Sequence, residues 1–189
     1  MEKNIAIFAS GGGSNAEVII EHFKNSDAAN ITLIVTNKEN AFVIERAKNH
    51  NIPYFIHTKE DVDNGNILAK LNEFEIDFIV LAGYLKRIHP ELITEYPNKI
   101  VNIHPALLPK FGGKGMYGMN VHRAVVEAQE ETTGITIHYV NENYDEGNII
   151  EQHACLIEPE ASPESVQKQV LELEHKYFAQ SIEMLVRKL

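Results

Sequence analysis

NIAIFASGGGSN, from Asn4 to Asn15, changes character once: an apolar, β-branched run through Ala9 gives way to Ser10, three glycines, Ser14 and Asn15. A run of this kind stopped by glycine reads as a buried strand entering a tight turn. The helical spacing of Ala16–Lys24 then completes a strand–turn–helix unit. The alternation continues down the chain. Ile31–Val35 reads as a strand, Phe42–Lys48 as a helix and Tyr54–Ile56 as a short strand. Ile67, Leu68, Leu71 and Phe74 share a helical face ahead of Asp77–Ala82, the clearest strand, which should be central. Pro90–Tyr96 is a short helix with proline in its first turn, and Ile100–Ile103 is another strand. Helices between successive strands cover both faces of a parallel sheet, so the expected class is α/β: a doubly wound, mostly parallel, Rossmann-like sheet.

The later part differs. Gly112–Asn120 is glycine-rich and expected to be a mobile loop, Val121–Gln129 a helix, and Ile135–Val140 and Ile149–Ile157 β-type runs joined by a turn-rich segment. Ser162–Leu189 reads as one long C-terminal helix, with Ser162 as N-cap, Pro163 at N1 and Glu164 in an acidic first turn. A length of 189 residues with no repeat or linker predicts a single domain, 1–189.

Composition excludes several classes. With 44% hydrophobic and 23% charged residues the chain is globular, and no apolar run reaches the length of a membrane span. A formal net charge of −10, with no basic run, argues against nucleic acid. The first residues lack a signal-peptide apolar core, and a single cysteine, Cys155, can form no internal disulfide, so the expected location is cytoplasmic. Neither a His-Glu-x-x-His pattern nor a cysteine cluster is present, so no metal is expected.

Three segments could carry chemistry. In Ser10–Asn15 the glycines let backbone N–H groups approach an anion, and the following helix terminus favours a phosphate. Gly11, Gly13 and Ala16 also satisfy the dinucleotide-binding spacing, yet Thr36-Asn37-Lys38 stands where that motif wants a ribose-binding acid. A plain connecting turn is the third option. In Asn102-Ile-His-Pro, Asn102 and His104 alternate onto one side of a strand end, where an amide could donate to an oxyanion and an imidazole could exchange a proton; a purely structural pair is the alternative. In Gly134–Gly147, Asp145 lies in a turn where it could pair with an imidazole, and His138 could help hold it, although Asp-x-Gly also serves any tight turn.

Together, Ser-Gly-x-Gly-Ser-Asn, Asn102-Ile-His-Pro-Ala-Leu-Leu-Pro and Gly134-x-Thr with Asp145-x-Gly closely resemble the folate-dependent formyltransferases, specifically those that act on phosphoribosylglycinamide. The resemblance runs from Ile5 into the C-terminal helix. It implies that fold, and transfer of a formyl group from 10-formyltetrahydrofolate, as co-substrate, to the substrate's amino group in purine biosynthesis. By the same resemblance, Asn102, His104 and Asp145 match the catalytic trio. Gly13, Ser14 and Asn15 match the phosphate-holding positions, and Glu174 a ribose contact. Leu85, Lys86, Arg87 and Ile88 match the folate-pocket segment, with Asn102 beside it. Val140, Asn141, Glu142, Asn143 and Tyr144 match the pterin-recognising turn, and Lys59 is the candidate basic contact to folate. The partners implied are small molecules, with neither nucleic acid nor membrane, for a monomer or homodimer. Methionyl-tRNA formyltransferases and formyltetrahydrofolate deformylases share Asn-x-His-Pro but carry further domains, for which no room is expected here.

Overall fold

The computed structural model describes residues 2–189. Its elements run β1 (Lys3–Phe8), α1 (Ser14–Phe23), β2 (Ala29–Thr36), α2 (Val43–Asn49), β3 (Tyr54–Ile56), α3 (Lys59–Asp63), α4 (Asn66–Glu73), β4 (Phe78–Leu81), α5 (Pro90–Glu95), β5 (Ile100–His104), α6 (Met119–Glu127), β6 (Thr132–Tyr139), β7 (Ile149–Leu156) and α7 (Pro163–Val186). The strand order of the seven-stranded sheet is β3-β2-β1-β4-β5-β6-β7. This is the expected α/β class with a C-terminal helix.

Two compact units are distinguished. The first comprises the chain up to Val101 together with Ala179–Leu189. Within it β1 pairs in parallel with β2 on one side and β4 on the other, and β2 pairs in parallel with β3. Chain direction across the sheet therefore reverses at β1, and the turn after β1 lies at a switch point, where open α/β sheets bind ligands. Ile5, Ile7 and Phe8 are fully enclosed, as are Ile34, Val35, Ile79 and Val80. Strands covered on both faces carry unbroken apolar runs for this reason. Asp77–Ala82 reads as a strand in the sequence because β4 is buried throughout its length.

The second unit is Asn102–Phe178. Here β6 and β7 are antiparallel, with Ile135 opposite His153 and Ile137 opposite Glu151. Two glycines of the Gly134–Gly147 motif have steric causes. A Cβ on Gly134 would collide with the His153 carbonyl oxygen across the ladder, and one on Gly147 with the Tyr139 carbonyl oxygen as the chain turns back. From Glu151 onward β7 alternates half-buried and exposed residues, the pattern of a strand covered on one face.

Several bounds differ from expectation, α6 beginning at Met119 inside the expected Gly112–Asn120 loop, and two further differences have a visible cause. α1 begins at Ser14 rather than Ala16, because Gly13 takes a left-handed conformation (φ 67°) and serves as N-cap. Lys59–Asp63 is a short helix the apolar pattern does not reveal: it buries no residue and is closed by a capping box in which Thr58 and Asp61 satisfy each other's backbone N–H groups.

Candidate active site

β5 ends in the second unit with Asn102 half-buried and His104 3% exposed. Asn102 Nδ2 donates to His138 Nε2 at 3.1 Å, while His138 Nδ1 donates to the Tyr139 carbonyl at 2.8 Å. The two bonds agree on one neutral tautomer, with the proton on Nδ1. Burial lowers the His138 pKa, opposed by its bond to Tyr139 and by Asp145.

Asp145 stands between two imidazoles. Its Oδ2 lies 3.6 Å from His104 Nδ1 and its Oδ1 3.7 Å from His138 Nε2. The carboxylate is oriented by Gly113, whose backbone N–H donates to Oδ2 at 2.8 Å. His104 Nε2 donates to the Phe111 carbonyl at 2.7 Å, so both ring nitrogens face an acceptor or an anion. Burial still lowers the His104 pKa, with Asp145 and then the Phe111 carbonyl pulling the other way. A buried imidazole with opposing influences of this kind can change protonation state when charge appears beside it. The sequence-derived residues Asn102, His104, His138 and Asp145 are thus brought together.

Four contributors escaped the sequence reading. The Phe111 carbonyl and the Gly113 N–H are backbone groups, invisible to side-chain patterns. His122, on α6, is buried, and among the described residues its Nδ1 has no partner; burial and then the nearby His104 lower its pKa. Thr136 is the fourth. Its hydroxyl donates to the Ala106 carbonyl at 2.7 Å and accepts from Leu108 N at 3.0 Å and Gln152 Nε2 at 2.8 Å. Gln152 also donates to the Leu108 carbonyl at 3.0 Å. The turn after His104 is therefore pinned by the threonine of Gly134-x-Thr, the signal that could have found it. Val140–Tyr144 precede Asp145 in a largely exposed turn, where Asn143 N donates to Asn141 Oδ1 at 2.9 Å. Glu174 is half-buried on α7.

In the first unit, Ser10 is 1% exposed and ties the glycine turn to two strand ends. Its hydroxyl donates to Asn37 Oδ1 at 2.6 Å and accepts from Leu85 N at 2.9 Å, and its own N–H donates to the Gly83 carbonyl at 3.0 Å. Asn37 is thereby engaged where a dinucleotide site would offer a carboxylate. Gly13 is required twice over: its φ is left-handed, and a Cβ would meet Val43 Cγ2 at 2.6 Å. Ser14 and Asn15 open α1, so their N–H groups and that of Ala16 have no intrahelical acceptor and form a site suited to an anion.

Leu85, Lys86 and Arg87 are exposed after β4, while Ile88 is buried and anchors the segment. Lys59 is exposed at the start of α3, and among the described residues it has no ion pair. Nearby in sequence, His57 is buried; Tyr84 donates its hydroxyl proton to His57 Nε2 at 2.8 Å, and His57 Nδ1 donates to the Thr58 carbonyl at 3.2 Å. No helix among the described residues is long and apolar enough to cross a membrane.

A family model described as formyl transferase matches residues 3–182. The chain belongs to the formyl transferase family. It is 37% identical to phosphoribosylglycinamide formyltransferase of Bacillus subtilis, over 97% of this chain and 95% of that one. It is 41% identical to the chloroplastic phosphoribosylglycinamide formyltransferase of Arabidopsis thaliana over 95% of its own length, and spans 64% of that longer relative. Among solved structures, glycinamide ribonucleotide transformylase 1 from Geobacillus kaustophilus superposes with a TM-score of 0.90 at 36% identity, covering 98% of this chain and all of that one (100%). For this formyl transferase, the Asn102–His104 strand end and the Asp145 turn are the natural place to seek the chemistry.

Proposed function

We propose that this formyl transferase moves the formyl group of 10-formyltetrahydrofolate to the amino group of 5'-phosphoribosylglycinamide, a step of de novo purine biosynthesis. The observation that carries the reading is the placement of Asp145 at 3.6 Å and 3.7 Å from two buried imidazoles, with Asn102 joined to one of them. Relatives named phosphoribosylglycinamide formyltransferase, one of them nearly the same length, support the choice of formyl acceptor.

The substrate amine attacks the formyl carbon, giving a tetrahedral intermediate whose oxygen carries negative charge. Asn102 spends one amide proton on His138 and keeps a second for that oxygen. The intermediate oxygen, being charged, is a stronger acceptor than the Phe111 carbonyl and competes with it for the His104 Nε2 proton. Asp145 stabilises the imidazolium and, through water, relays a proton from the attacking nitrogen to the leaving nitrogen of tetrahydrofolate. The C–N bond to folate then breaks with no covalent enzyme intermediate and no metal in the proposed steps.

In this reading Gly13, Ser14 and Asn15 hold the substrate phosphate and Glu174 contacts its ribose. Leu85–Ile88, Lys59 and the Val140–Tyr144 turn serve the folate. The whole chain acts as one formyltransferase domain in the cytoplasm, as a monomer or homodimer. The deciding experiment supplies purified protein with both substrates, follows folate absorbance, and omits each substrate in turn. Turnover that does not need phosphoribosylglycinamide would end the assignment.

A further inference from the structure

The glycine turn of the first unit is held from behind. Gly11 O accepts from Val43 N at 3.1 Å, Gly12 O from Arg46 Nε at 2.8 Å and Gly13 O from Glu17 N at 2.9 Å. Three consecutive carbonyls are thus committed to α1 and α2. Among the described residues the N–H groups of Gly11, Gly12, Gly13 and Ser14 donate to no protein acceptor, and they are among the polar groups the turn and the start of α1 leave for a ligand. Of the three ties, only the one to Gly12 is made by a side chain.

Arg46 does a second thing. Glu17 lies in the first turn of α1, where its negative charge would oppose a phosphate dianion. Arg46 Nη1 donates to Glu17 Oε2 at 2.8 Å, and His50 Nε2 lies 2.8 Å from Oε1. The hydrogen bond from Arg46, followed by that from His50, holds the Glu17 carboxyl below its ordinary range, so it is ionised and paired. The guanidinium also lies over the Phe42 ring, 5.1 Å from its centroid, which fixes the plane of the fork. A side chain on Gly13 would collide with the Val43 methyl, so the turn and α2 approach each other closely there.

We propose that Arg46 is a positioning residue for the phosphate-bearing substrate: it holds the Gly12 carbonyl so that the turn's N–H groups stay aimed at the anion, and it neutralises Glu17 beside them. This rests on reading Gly13–Asn15 as the phosphate site. Arg46 touches the turn from α2 and needs no contact with the substrate.

Arg46→Met and Arg46→Lys test it. The ion pair with Glu17 is partly exposed, and pairs of that kind add little to stability, so folding should survive. In Arg46→Met the KM for phosphoribosylglycinamide should rise about tenfold or more, the scale of a lost charge-assisted hydrogen bond, with kcat and the folate KM within about twofold. Inorganic phosphate, as a competitive inhibitor, should weaken in parallel. Arg46→Lys keeps the charge without the two-donor fork and should fall between wild type and Arg46→Met. An unchanged KM and phosphate inhibition constant, or equal losses in kcat and both KM values, would overturn the role. If Arg46→Met fails to fold, Arg46→Lys decides, with at least about a threefold rise expected and no rise refuting. Calorimetric titration with phosphoribosylglycinamide reads the same effect without turnover. A wild-type protein that binds this substrate and does not transfer formyl would sink the proposed reaction while leaving the Arg46 measurement intact.

Discussion

The backbone N–H of Gly113 donates to Asp145 Oδ2 at 2.8 Å, so the loop that follows β5 orients the carboxylate that follows β6. Both residues have positive φ, 93° at Gly113 and 57° at Asp145, and the contact depends on two left-handed turns meeting. In Asp145→Asn an amide oxygen can still accept from Gly113, but the charge facing His104 is gone. Turnover should fall by about a hundredfold or more, in the range of general acid–base groups. The His104 pKa, which Asp145 raises against burial, should drop further in an NMR titration. An Asn variant with wild-type turnover would exclude Asp145 from the proton path.

His104→Ala separates chemistry from binding. Formyl transfer should collapse by roughly a hundredfold or more while both substrates still bind, since in the proposed mechanism the imidazole serves proton transfer and oxyanion stabilisation. Loss of binding with retained kcat would instead assign His104 to substrate recognition.

The buried histidines set a pH dependence of stability. Burial lowers the pKa of His104, His122 and His138, so between their folded values and the ordinary 6.5 the unfolded chain holds more protons than the folded one. Stability therefore rises with pH across that window and is lost as pH falls below about 6.5, at most about 1.4 kcal/mol per pH unit for each such proton. Urea unfolding at pH 7.5 and 5.5 should show the lower midpoint at 5.5, and replacing His122 by Asn should flatten the difference. The Glu183 carboxyl is held down to about 2 by its bonds from Ser26, Arg187 and His22, so its contribution disappears at lower pH, between its ordinary 4.5 and about 2. Equal midpoints at 7.5 and 5.5 would contradict the histidine account.

Thr136→Val keeps shape and removes the hydroxyl that serves Ala106, Leu108 and Gln152. Leu108 N and the Ala106 carbonyl would be left buried without that partner, a loss of about 1–3 kcal/mol. Chemical denaturation should register it, and kcat should fall as the Pro105–Pro109 turn loosens behind His104. A variant as stable and active as wild type would show that the turn holds itself.

The sequence alone determined the α/β class, because strands buried on both faces leave unbroken apolar runs between helical periods, as Asp77–Ala82 does between Ile67–Phe74 and Pro90–Tyr96. It also offered Asn102, His104, His138 and Asp145 as candidates, since the proposed chemistry demands particular side chains at strand ends and turns. Short exposed Lys59–Asp63 left no apolar trace and stayed hidden, its stability residing in a cap rather than a buried face. Only the tertiary structure decided how the site is wired. The Phe111 carbonyl on His104, the Gly113 N–H on Asp145 and the Arg46 fork on Gly12 join residues by backbone groups that every amino acid possesses, so no residue type announces them and only the folded path of the chain brings them within hydrogen-bond reach.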